Sequence, residues 1–82
     1  MNTVKIEKNG ILSLLFAKCN TKNVLLRVII ESKSKDKLEL ANHVAEELSE
    51  LELTAWEKVR EEHPETVGKI CRYDGDFISI LD

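Results

Sequence analysis

At Ser32-Lys33-Ser34-Lys35-Asp36-Lys37 the hydrophobic pattern of the chain changes its period, and this change constrains the fold more than any other feature. Beyond it, Ala41, Val44, Leu48, Leu51, Ala55 and Val59 recur at spacings of three and four, which puts them on one stripe of a helix. Leu38 and Ala45 widen the stripe. Asp36 followed three residues later by Glu39 has the form of a capping box, and His63-Pro64 marks the end, because a residue before proline is pushed out of the helical region. The spacing therefore predicts a helix from Asp36 to His63. Ser49 with Glu52 and Thr54 with Glu57 repeat the capping pattern inside it, so a break near residues 49–54 is open: one long helix, or two collinear ones.

Before the connector the pattern favours strands. Val4 and Ile6 alternate with Lys5 and Glu7, and Asn9-Gly10 suits a tight hairpin turn because both positions tolerate positive φ. Ile11 to Ala17 then reads as a returning strand. After the polar break Asn20–Asn23, the β-branched run Val24 to Ile30 fits a buried strand. Short apolar runs do not separate strand from buried helix by period alone, so a helix over Ile11 to Cys19 stays open. The tail is a hairpin pattern: Lys69 to Tyr73 and Asp76 to Leu81 flank Asp74-Gly75 with aromatic and β-branched residues. The fold class predicted is α+β. Its small antiparallel sheet, of N-terminal strands plus the C-terminal hairpin, is packed by one long or two collinear helices.

The 82 residues make room for one domain, spanning 1–82, and one core. Apolar residues are 43% and charged residues 33%, a globular and not a disordered balance. Unbroken apolar stretches reach four residues at most, against roughly 20 needed to cross a bilayer. The N-terminal residues alternate charge and hydrophobicity and lack the apolar region of a signal peptide. Cys19 and Cys71 are isolated thiols in apolar stretches, where a short secreted scaffold would carry four or more cysteines. Together these point to a cytoplasmic protein with free thiols and no membrane insertion.

The net charge of −3 conceals an asymmetry: +4 through Ala45 and −7 from Glu46 onward. An acidic second half disfavours nucleic acid, whose phosphates are bound by clustered Lys and Arg. It suits a basic protein surface.

No arrangement of residues supplies a reaction centre. Cys19, His43, His63 and Cys71 lack the CxxC or HxxxH spacing of a metal site, and Gly10, Gly68 and Gly75 are too far apart for a phosphate loop. His43 has neither a nucleophile nor an orienting partner nearby, and His63 suits the negative end of a helix dipole. The carboxylates from Glu46 to Glu65 form a charged helix face, crossed by the pairs Lys58–Glu62 and Glu57–Arg60. Trp56 reads as core packing between helix and sheet. The reading is a protein-binding module, not an enzyme, with no cofactor and no metal. Its partner-binding residues are His43, Glu46, Glu47 and Glu50.

In length, in cytoplasmic character and in the helical segment Lys37-Leu38-Glu39-Leu40-Ala41-Asn42-His43-Val44, the chain resembles the cytoplasmic lysis-inhibition accessory proteins of T-even bacteriophages, products of the third rapid-lysis locus. The resemblance implies a protein that binds the cytoplasmic part of the phage holin and delays lysis. It brings no catalytic residues, and makes His43 a candidate for a position sensitive to mutation. Two alternatives stand beside it: an inhibitor of phage or bacterial origin that docks on a host enzyme, and a structural subunit that forms homo-oligomers through its helix.

Overall fold

A computed structural model describes residues 2–81. In chain order they form β1 (Asn2–Lys5), α1 (Ile11–Glu31), α2 (Lys37–Glu62), a 3-10 turn (Pro64–Thr66), β2 (Cys71–Tyr73) and β3 (Phe77–Ile80). The three strands make one antiparallel sheet in the order β1-β3-β2. The last strand is thus central, with Val4 opposite Ile78 on one side and Tyr73 opposite Ile78 on the other. This is the α+β class expected from the sequence, with two differences in how the first half contributes.

The first difference is that residues 11–31 are one helix, so the strands expected at Ile11–Ala17 and Val24–Ile30 do not form. The helical alternative for Ile11–Cys19 is the one adopted, and it continues through the polar break and the β-branched run. Leu12, Phe16 and Cys19, at spacings of four and three, are its buried residues. Tertiary packing against α2 outweighs the β preference of Val24, Val28, Ile29 and Ile30, which amounts to only tenths of a kcal/mol per residue. The sheet therefore takes one strand from the N-terminal region, not two.

The second is the role of Asn9-Gly10, which starts a helix instead of turning a hairpin. The Gly10 amide donates to the Glu7 carbonyl at 3.0 Å, and Asn9 takes the left-handed conformation at φ 64°. Gly10 is then the N-cap of α1, and its carbonyl accepts the Leu14 amide at 3.1 Å. A Cβ at Gly10 would sit 3.1 Å from the Glu7 carbonyl oxygen, so the close approach of the turn selects glycine.

The helix predicted from Asp36 to His63 is present as a single unbroken α2. Its stripe is buried at Ala41, Val44, Leu48, Ala55 and Val59. Thr54 starts no second helix: its hydroxyl donates to the Glu50 carbonyl one turn back at 3.0 Å. The capping box at Asp36 is not made, since that side chain forms no cap hydrogen bond. The connector instead serves the end of α1. Ser32 Oγ donates to the Ile29 carbonyl at 2.7 Å, and Lys37 Nζ lies 3.4 Å from the carbonyls of Ile30 and Ser32.

The C-terminal hairpin forms where predicted. Gly75 supplies the positive φ of its turn at 83°, and the Asp74 amide donates to the Phe77 carbonyl at 2.8 Å. Ile78 and Ile80 join Val4, Ile6, Leu12, Phe16, Cys19, Leu48, Ala55 and Val59 in one core. Phe16 is its aromatic centre, stacked on Tyr73 at 4.0 Å and edge-on to Trp56 at 5.2 Å. Trp56 packs against the core, half-buried. Ala41 and Val44 are buried too, but lie outside this shared core. The end of the helical hairpin nearest the connector is thus two helices without a third layer, in a molecule 45 Å long and 24 by 20 Å across.

Candidate protein interface

With its stripe turned inward, α2 must present its other residues outward. They are mostly glutamates: the helix holds eight Glu against three Lys or Arg, a net of −5. Glu39, Glu46, Glu50, Glu57 and Glu61 are all exposed and fall at spacings of seven, four, seven and four, along one ridge. His43 is exposed on the same side. It therefore does not sit in the packing between the helices, and its ring faces water among carboxylates.

The four residues singled out in the sequence lie within two turns of α2 but not in one identical setting. Glu46 and Glu50 line a shallow depression with Asn42, Ala45 and Ser49. Glu47 points to the opposite side, towards α1, and forms an ion pair with Lys22 at 3.2 Å. That pair ties α2 to α1 across the two helices, and Glu47 is only partly available to another protein. Glu50 lies between the two settings, also lining the shallow surface with Lys22, Glu47, Leu51 and Thr54.

At the far end of α2 the expected helix pairs are replaced. Lys58 bonds Glu61 at 3.4 Å instead of Glu62. Arg60 turns away from Glu57 and leaves the helix face altogether. Its guanidinium donates to the Thr66 carbonyl and, at 3.2 Å, to the Lys69 carbonyl; it also reaches Cys71 Sγ at 3.7 Å. The same group stands 5.8 Å from the centre of the Trp56 ring. A single side chain thus fastens the segment between α2 and β2. Nothing in the sequence marked Arg60, because its partners are backbone carbonyls that the fold alone brings within reach.

Both cysteines are free. Burial pushes the Cys19 thiol above its ordinary value of 9.0, and the carboxylate of Glu52 adds to the effect. Among the described residues no group of three or more His, Cys, Asp or Glu could hold a metal ion, and no helix is long and apolar enough to cross a membrane.

The sequence reading missed the outer face of α1. Leu14, Val24, Leu25 and Val28 are 42–58% exposed, although they belong to a helix whose opposite side is already buried. No family model, no curated protein and no solved structure matches the chain.

Proposed function

We propose that the chain is a non-enzymatic protein-binding module that docks a basic segment of another protein on the acidic ridge of α2. The observation that carries this is the ridge itself: five exposed glutamates in line with His43, on a helix of net charge −5. A face of this kind draws a basic segment by long-range attraction and loosens its hold as salt screens the charges. Glu46 and Glu50, beside the shallow depression, and His43 form its centre. Glu47 contributes less, because Lys22 already neutralises it.

Joined with the resemblance of residues 37–44 to the phage lysis-inhibition accessory proteins, this reading makes the partner the cytoplasmic segment of the phage holin. Holding that segment in the cytoplasm delays hole formation, so the protein acts as an accessory regulator of host lysis.

The test is titration of the purified holin segment with wild type and with Glu46→Lys and Glu50→Lys. Each reversal is expected to weaken binding by about tenfold, a change of about 1.4 kcal/mol. Added salt should weaken the wild-type complex and scarcely affect what binding the double variant retains. Undiminished affinity in both variants overturns the ridge as the site. Absence of any wild-type binding overturns the choice of partner.

A further inference from the structure

The outer face of α1 carries a second apolar seam that its own fold leaves uncovered. Leu14, Ala17, Thr21, Val24 and Val28 follow one another at spacings of three, four, three and four, the pattern of a coiled-coil seam, and Leu25 adjoins it. All are exposed, with Leu14, Val24 and Val28 at 56–58%. No charged side chain interrupts them. The one polar member, Thr21, is already satisfied, because its hydroxyl donates to the Ala17 carbonyl at 3.0 Å. The seam can therefore be dried without stranding a hydrogen-bond donor. The outer face of α2, which water does solvate, is built of glutamates by contrast.

We infer that this seam joins two copies of the chain, α1 against α1, into a dimer whose acidic α2 ridges face outward on opposite sides. Charge and area both select a second copy. Helix α1 has three basic residues and one acidic, and in a parallel seam the residues flanking it meet as Ser13 with Lys18, Asn20 with Leu25 and Arg27 with Ser32, so no like charges oppose. In the order α2-α1-α1-α2 the two acidic helices stand three helix spacings apart, about 24–30 Å, well beyond the screening length of about 8 Å. Pairing through α2 would instead press two faces of net charge −5 together. A helix of 21 residues is about 31 Å long, and covering the outer half of it removes roughly 500 Å² per copy from water. The total of about 1,000 Å² is the size at which specific interfaces begin. The contact is isologous, each copy offering the same patch.

Sedimentation equilibrium of the full chain is expected to show a monomer–dimer equilibrium that Val24→Glu and Val28→Glu each weaken by about tenfold or more. Both positions are exposed in the isolated chain, so helical content by circular dichroism should stay at the wild-type value. Thr21→Cys, at the midpoint of the seam, should form an intermolecular disulfide under mild oxidation at a level the wild type, with only Cys19 and Cys71, does not reach. A wild-type chain that stays monomeric at its highest soluble concentration overturns the inference. So does association that neither glutamate changes, or a Thr21→Cys variant that cross-links no more than wild type. Capture of a foreign helix on the seam of a monomeric protein also overturns it.

Discussion

Replacing Arg60 with Met should remove about 3 kcal/mol of stability while leaving every helix contact of the aliphatic stem in place. The figure follows from what the guanidinium touches. Its bond to the carbonyl of the fully buried Thr66 is charge-assisted and has no water to replace it, which contributes about 2 kcal/mol. The bond to the exposed Lys69 carbonyl at 3.2 Å can be exchanged for water, and contributes about 0.5 kcal/mol. Its position 5.8 Å from the Trp56 ring contributes about another 0.5 kcal/mol at a partly exposed site. In a domain of this size about 1 kcal/mol moves the melting temperature by 4–8 °C, so Arg60→Met should melt about 12–24 °C lower. Arg60→Lys should fall between, since an ammonium keeps the charge but cannot span two carbonyls as a fork does. Urea unfolding followed by circular dichroism measures the loss, with an unchanged slope showing that the two end states are the same. Hydrogen exchange should show the protection lost first at Thr66, Lys69 and Leu81, whose amides bond within this segment and its neighbour. A loss below about 1 kcal/mol for Arg60→Met would refute the role given to this side chain.

Phe16→Leu keeps the core apolar but removes two ring contacts, and should cost about 1–3 kcal/mol with a shift in Trp56 fluorescence; an unchanged spectrum would contradict the packing described. His43→Arg is expected to leave the melting temperature within about 2 °C of wild type, because the position is exposed, and to weaken binding of a basic partner by adding positive charge to the ridge. A destabilised His43→Arg with normal affinity would reverse that assignment. The raised Cys19 thiol makes stability fall with alkali. Below the unfolded value of 9.0 its contribution is fully present, and it is lost as pH rises from there through the folded value, where the unfolded chain ionises first. Cys19→Ala should flatten the decline above pH 9 relative to wild type, and an identical decline in both would exclude Cys19 as its source.

Where a segment has one buried face, its periodicity is legible, and both α2 and the C-terminal hairpin were of this kind. Ala41 to Val59 repeat at three and four because one side of that helix meets the core and the other meets water. Gly75 turns the hairpin because a positive φ is cheapest where there is no Cβ. The acidic ridge was equally readable, since a helix known to bury one stripe must expose the rest. Helix α1 defeats the same logic because it is apolar on two sides: Leu12, Phe16 and Cys19 bury one, and Leu14, Val24 and Val28 line the other. Two apolar stripes add up to a nearly continuous run with no visible period, and β-branched residues then make such a run look like strand. Only packing against α2 decides between the two, since it buries a helical face of α1 that a strand could not present. Tertiary structure alone likewise turned Glu47 to Lys22 and brought Arg60 to the carbonyls of Thr66 and Lys69. Spacing along a chain reports which residues share a face, but contacts between elements depend on how those faces are set against each other in space.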